Sequence, residues 1–80
     1  MEMIDAVKKR ILQICNEYNL TINGLAEISA LPPSTLKNIL YGKSENPQLK
    51  TIKVLCDGVG ITLGDFFSTP EFDALEQEIK

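Results

Sequence analysis

The segment from Thr21 to Pro47 most constrains what this chain can fold into, because two short helical patterns meet there at a tight break. In the second pattern, Leu36, Ile39 and Leu40 have the i, i+3, i+4 spacing of an apolar helix face. The opposite face carries hydrogen-bond donors spaced i, i+3, i+4, i+7: Ser34, Lys37, Asn38 and Tyr41. A helix anchored on one side, with a short polar and cationic row on the other, can lie in the major groove of DNA. Sequence-specific DNA binding is therefore our leading hypothesis.

Length and composition predict one small folded domain. The chain has 80 residues, and its apolar fraction of 44% is normal for a globular protein. No stretch approaches the roughly 18 apolar residues of a membrane span, and no signal peptide is evident. We therefore expect a cytoplasmic protein that does not bind membranes.

Cysteine and histidine content argues against a metal site. There is no histidine, and Cys15 and Cys56 fall on apolar faces of predicted helices. Cysteine is among the most buried residue types, so we expect reduced core thiols. A zinc site needs about four closely spaced ligands, so we expect no metal and no other cofactor.

The net charge of −3 argues against nucleic-acid binding, but the distribution of the charges along the chain is uneven and matters more than their sum. Residues 37–53 contain four lysines and one acid, whereas residues 57–80 contain six acids and one lysine. The middle of the chain could face phosphates while the C-terminal part faces elsewhere. The overall negative charge still predicts weak non-specific DNA binding.

Helical periodicity runs along the whole chain and predicts an all-α fold. Thr21 is a plausible N-cap, Pro33 suits a first helical turn, and Thr62 to Asp65 resembles a capping box. We expect Gly42 to end the third helix in the C′ position, and Gly58 and Gly60 to end the fourth. The predicted helices are about 2–18, 21–29, 33–41, 49–57 and 63–67, with a sixth from Pro70 to the terminus.

The apolar spacing of these helices predicts their core-facing residues. For the first helix they are Ile4, Val7, Ile11, Ile14, Cys15 and Tyr18. For the second they are Ile22, Leu25 and Ala26; for the fourth, Leu49, Ile52, Leu55 and Cys56; and for the fifth, Leu63, Phe66 and Phe67.

Four sequence strings, in unbroken register from about residue 7 to 67, resemble the phage-repressor/Cro class of helix-turn-helix regulators, also called the XRE family. Leu20-Thr21-x-x-x-Leu25-Ala26 resembles the opening of its helix-turn-helix, and residues 34–43 resemble its recognition helix. Asn46-Pro47-x-Leu49-x-Thr51-Ile52 resembles the start of its fourth helix, and residues 59–67 its closing turn and fifth helix.

The resemblance implies a compact five-helix, lambda-repressor-like domain at residues 1–69 that binds double-stranded operator DNA, usually as a homodimer. Carried over by position, the candidates for reading bases are Pro33, Ser34, Lys37 and Asn38. The candidates for contacting the DNA backbone are Thr21, Asn23, Thr35, Tyr41, Lys43, Ser44 and Asn46.

The chain departs from the family pattern at four positions. Ile22 stands where a polar residue often meets phosphate, and Gly24 weakens the second helix by about 1 kcal/mol. Pro32 replaces a common serine cap, and Pro33 replaces a polar base-reader and can offer only apolar contact, for instance to a thymine methyl. These departures leave the fold intact but obscure the operator sequence.

The C-terminal segment, residues 70–80, is the expected dimerisation element. Phe72, Leu75 and Ile79 are spaced i, i+3, i+7 on the predicted last helix, and a five-helix core does not obviously need them. We expect a weak homodimer formed by these residues with help from Phe66 and Phe67. The alternative is that the last helix folds back and covers Phe66 or Phe67 of its own chain.

Several alternatives remain open at this point. The basic run Lys8, Lys9 and Arg10 is more readily explained as a solvated face than as a phosphate contact, and Tyr41 could instead pack half-buried. No residue pattern supports catalysis, so we expect no enzyme. The favoured function is a repressor that occupies a promoter. The competing function is a protein-interaction module on the same scaffold, such as an antitoxin or antirepressor, that binds a partner through its acidic C-terminal segment.

Overall fold

The computed structural model describes residues 1–79, and within them it contains six α-helices and no strand. The radius of gyration is 12.3 Å, close to the roughly 12 Å expected for a compact domain of this length. The expected all-α class, with five helices and a short additional C-terminal helix, is confirmed. The helices are α1 (Met3–Glu17), α2 (Ile22–Ile28), α3 (Pro33–Tyr41), α4 (Leu49–Val59), α5 (Leu63–Phe67) and α6 (Pro70–Asp73).

Helices α2, α3 and α5 begin at the capping residues or proline that the sequence predicted. Thr21 Oγ1 accepts a hydrogen bond of 2.9 Å from the backbone N–H of Gly24 and so caps α2. Thr62 and Asp65 form the predicted capping box, in which Thr62 Oγ1 accepts from the Asp65 N–H at 3.0 Å. Pro33 is the first residue of α3, where its missing N–H has no helical partner to lose.

The turn between α2 and α3 is closed by backbone hydrogen bonds. The N–H of Leu31 donates to the carbonyl of Ala26 at 2.9 Å, and the N–H of Ala30 donates to the carbonyl of Glu27 at 3.1 Å. Ala30 itself adopts the left-handed backbone conformation, with φ of 54°. This is the Schellman arrangement, with alanine in place of the usual glycine.

The core lies between helices α1 to α5. Leu36, Ile39 and Leu40 of α3 are buried against Leu25 and Ala26 of α2. The other buried apolar residues are Ala6, Val7, Ile11, Ile14, Cys15, Ile52, Leu55, Cys56 and Phe66. Both cysteines are free thiols, and burial raises the pKa of each, so they stay protonated at neutral pH.

Of the three glycines expected to end helices, Gly60 does so as predicted, whereas the expected roles of Gly58 and Gly42 need correction. Gly58 does not end α4 but lies inside it, packed against Ser29, and the helix continues to Val59. Gly60 ends it with φ of 80°. Gly42 caps α3 with extended rather than left-handed backbone, and it is glycine because a Cβ there would lie 2.7 Å from the Asn38 carbonyl oxygen.

Three residues predicted to face the core are exposed. Leu49 is 70% exposed, Tyr18 44% and Leu63 36%. Leu49 and Leu63 are the first residues of their helices and Tyr18 follows the end of α1, so apolar spacing predicts burial less well at helix ends than in their middle.

The last helix is shorter than expected. It ends at Asp73 rather than at the terminus, so Leu75 and Ile79 do not share a helix face with Phe72. Phe72 packs on its own subunit, with ring centroids 4.9 Å from Phe67 and 6.1 Å from Phe66, as the fold-back alternative proposed. Lys80, the last residue of the predicted helix, lies outside the described residues.

Candidate nucleic-acid interface

Helix α3 has the two faces that its sequence predicted. Its apolar residues are almost fully buried, with Leu36 0% exposed and Leu40 7%. Its polar row faces solvent: Ser34, Lys37, Asn38 and Tyr41. Tyr41 is 71% exposed, so the alternative that it packs half-buried is wrong. The helix is therefore fixed from behind and accessible from the front.

A shallow groove of about 380 Å³ runs between α3, the loop after it and the start of α4. Four predicted contact residues line it: Thr35, Asn38, Ser44 and Asn46. Leu31, Ile39, Pro47, Gln48 and Thr51 complete the lining. The structure thus brings one candidate base-reader together with three candidate backbone contacts on one concave surface.

Gln48 and Thr51 were not predicted as site residues. Gln48 is the N-cap of α4 but makes no side-chain capping bond, so the first N–H groups of this eleven-residue helix have no side-chain partner. Such N–H groups attract phosphate oxygens. A polar residue directly before a predicted helix start is the signal that could have identified Gln48, whereas Thr51 carries no such local signal.

The other predicted residues lie outside the groove. Pro33, Ser34, Lys37 and Lys43 are exposed on α3 or just after it, and Thr21 and Asn23 are exposed at the start of α2. Thr21 uses its oxygen as the α2 cap, yet its hydroxyl hydrogen can still donate to a phosphate. Ile22 is half-buried against the core and takes no part.

Charge pairing separates two groups of cations. Within residues 1–79, Lys37, Lys43 and Lys50 have no carboxylate within ion-pair distance. Outside the α3 region, Lys9 pairs with Glu71 at 3.0 Å, Arg10 lies 3.9 Å from Glu17, and Lys53 pairs with Asp57. Three of the unpaired lysines therefore lie on α3, just after it and at the start of α4, whereas the remaining unpaired lysine of the described chain, Lys8, lies on α1.

The predicted solvated face on α1 is only partly correct. Arg10 is mostly buried and donates from Nε to the Phe66 carbonyl at 2.8 Å and from Nη2 to the Asp65 carbonyl at 3.0 Å. Its guanidinium also lies over the Phe66 ring, 6.0 Å from the centroid. Arg10 therefore holds α5 against α1.

The described part of the chain shows neither a metal-binding cluster nor a membrane-spanning helix. Residues 1–79 hold no cluster of three or more histidine, cysteine or acidic side chains placed to bind a metal ion. No helix in this part of the chain combines the length and apolar character needed to cross a bilayer.

Two helices joined by a four-residue turn, the second buried on one face and polar and cationic on the other, define a helix-turn-helix DNA-binding domain. The family model of the Cro/C1-type HTH DNA-binding domain matches residues 10–71. The chain belongs to this family of DNA-binding regulators, as its resemblance implied.

A solved structure supports the same fold. The protein in the crystal structure of the prophage Lp1 protein 11 shares 30% sequence identity with this chain, and the two structures superpose with a TM-score of 0.81. The match covers 94% of this chain and 100% of that one. A search of curated proteins returned no match.

Proposed function

We propose that the protein is a sequence-specific transcriptional repressor that binds double-stranded operator DNA with α3 in the major groove. The observation that carries this proposal is the exposed row of Ser34, Lys37, Asn38 and Tyr41 on a helix whose other face is buried. A major groove about 12 Å wide admits one α-helix, and base edges there are read by side chains of this kind. Because a regulator of this kind must reach its DNA, we propose that the protein is cytoplasmic.

The proposed base contacts follow from side-chain chemistry. Asn38 can pair bidentately with adenine, and Lys37 can donate to O6 and N7 of guanine. Ser34, in the first turn of α3, can donate to or accept from either purine or pyrimidine edges. Pro33 can offer only apolar contact, for instance to a thymine methyl.

The proposed backbone contacts surround α3 on both sides. Thr21 and Asn23 lie at the start of α2, and Lys43 follows α3 with an unpaired ammonium. The remaining candidates are Thr35, Tyr41, Ser44 and Asn46. Phosphate contacts of this kind fix the register of the protein on DNA without reading sequence.

We further propose that the protein acts as a homodimer. One α3 reads only a few base pairs, whereas a two-fold pair reads two half-sites about 34 Å apart. The proposed interface consists of Phe67, Phe72, Leu75 and Ile79, of which Ile79 is 87% exposed. Phe66 is fully buried, so its part in this proposal is to support Phe67 and Phe72 from beneath.

Alanine substitutions separate the proposed base-reading and phosphate roles. Lys37→Ala and Asn38→Ala should each cost about 1 to 3 kcal/mol on the preferred site and relax the choice of base locally. Lys43→Ala should weaken preferred and random DNA about equally and reduce the salt slope by roughly one. Fluorescence anisotropy at several salt concentrations measures all three.

Lys8→Ala removes an unpaired lysine of α1 that is outside the proposed interface, so it serves as the matched control and should leave both affinities unchanged. If Lys37, Asn38 and Lys43 variants lose the same affinity on random and preferred DNA, the assigned base-reading roles are wrong.

A further inference from the structure

A second cavity lies on the other side of the loop that borders the DNA-facing groove. It has a volume of about 240 Å³ and lies between the start of α1, the loop after α3, the start of α4 and the end of α5. Its walls are mainly apolar and include Met3, Leu49 and Phe67. The only polar lining residues are Glu45 and Asn46.

Two large apolar side chains of this cavity are left in water. Leu49 is 70% exposed and Met3 is 53% exposed. An occupant of the cavity would cover apolar surface on both, and burial of such surface favours binding.

The lining selects the chemistry of the occupant. Met3 and Phe67 both make favourable contacts with aromatic rings. The carboxylate of Glu45 repels anions and accepts a hydrogen bond from an N–H group. A cavity of roughly 150 Å³ in another protein is known to hold benzene, so 240 Å³ is sufficient for a two-ring molecule.

The cavity and the DNA-facing groove share a wall. Asn46 and Pro47 line both, one from each side of the same short loop segment. Asn46 is also a proposed backbone contact. A molecule that displaced this wall from the cavity would therefore also change the groove.

We propose that this cavity binds a small neutral aromatic molecule with one N–H donor, and that its occupation lowers DNA affinity through Asn46 and Pro47. The binding step stands on the cavity alone, and the effect on DNA rests on the proposed function. Linkage requires the coupling to be reciprocal, so DNA must lower the affinity for the molecule by the same factor.

Indole is a suitable probe because it is neutral, has two rings and carries one N–H. Titration of the full chain with indole, followed by NMR, should shift the resonances of Met3, Leu49 and Phe67 first and saturate with a Kd of roughly 0.1 to 1 mM. Indole-3-carboxylate has the same rings with an anionic group and should bind at least about tenfold more weakly because of Glu45.

Leu49→Gln tests the site with little risk to the fold, because Leu49 is already 70% exposed. It should weaken indole binding about tenfold. Leu12→Gln is the matched control: Leu12 is 48% exposed on α1 and does not line the cavity. It should bind indole like the unchanged chain.

DNA affinity is then measured with and without saturating indole on the site selected for the unchanged chain. Saturation should weaken DNA binding roughly fivefold in the unchanged chain and in Leu12→Gln, and by less than about twofold in Leu49→Gln at an indole concentration about ten times the Kd of the unchanged chain. No saturable shift at the cavity residues would overturn the site, whether or not the protein binds DNA. Saturable binding that leaves DNA affinity unchanged would overturn the coupling.

Discussion

Gly58 of α4 packs directly against Ser29, the residue that caps the end of α2. A Cβ at position 58 would overlap Ser29 Oγ and lie only 3.0 Å from Ser29 Cα. The hydroxyl can rotate away, but the backbone cannot, so any larger residue must push α2 from α4. Because α2 and the turn after it support α3, this contact helps to set the position of the helix proposed to read DNA.

Gly58→Ala should therefore destabilise the protein by about 1 to 3 kcal/mol, the usual cost of overpacking a core. Gly64→Ala is the matched control, because the nearest atom to a Cβ there is Thr62 Oγ1 at an ordinary 3.7 Å. That change should be neutral or stabilise by up to about 1 kcal/mol, since alanine favours a helix over glycine. Urea unfolding followed by circular dichroism measures both, and equal effects would contradict the assigned role of Gly58.

Individual residues also show what the sequence could and could not predict. The two faces of α3 were predictable because a helix fixes the direction of each side chain. The position of Gly58 was not, because a glycine that ends a helix and a glycine that admits a neighbouring helix look alike in sequence. Gln48 and Thr51 were missed because their position beside Asn38 depends on how α3 and α4 cross.

Helix α5 is too short to hold itself in place. It has five residues, well below the roughly 12 that an isolated helix needs in water. The Thr62–Asp65 capping box stabilises its start, and the Arg10 guanidinium satisfies the carbonyls of Asp65 and Phe66 at its end. The sequence showed the capping box, since both residues are local, but not Arg10, which lies 56 residues from Phe66.

Arg10→Met keeps the length of the side chain but removes its donors. We expect it to cost about 1.5 to 3 kcal/mol of stability, because the partly buried hydrogen bond to the Phe66 carbonyl and the exposed one to the Asp65 carbonyl both lose their charged donor. Lys8→Met on the same helix is the matched control and should stay within about 0.5 kcal/mol of the unchanged chain. The role of Arg10 as a link between α1 and α5 would be contradicted by two variants of equal stability.

The length of α6 shows how tertiary contact decides marginal helices. Periodicity predicted a helix to the terminus, yet only Pro70–Asp73 is helical. Phe72 reaches the core and Lys9 hydrogen bonds to Glu71, which lowers the pKa of that carboxyl. Beyond Asp73 the acidic residues Glu76 and Glu78 oppose a helix C-terminus, which favours cations.

At the scale of the whole molecule, assembly depends on the segment after α6. Residues 75–79 follow the last core contact of Phe72 and include Ile79, which is 87% exposed. Sedimentation velocity should find the intact chain in monomer–dimer exchange at high micromolar concentration. A chain ending at Ala74 keeps Phe72 and Glu71 in place and should be monomeric.

The truncated chain should unfold at the same temperature as the monomer of the intact chain. This comparison separates a loss of dimerisation from a loss of folding. A dimer that persists after truncation would place the interface elsewhere, and two monomers at high micromolar concentration would remove the homodimer from the account.

The whole-molecule claim is that a negatively charged protein reads a specific DNA site with one cationic helix per subunit. Selection of bound fragments from a randomised DNA pool at low salt, followed by sequencing, tests this most directly. The account predicts an enriched two-fold motif whose half-sites are centred about 34 Å, or one helical turn, apart. A folded protein that enriches no motif under these conditions would contradict it.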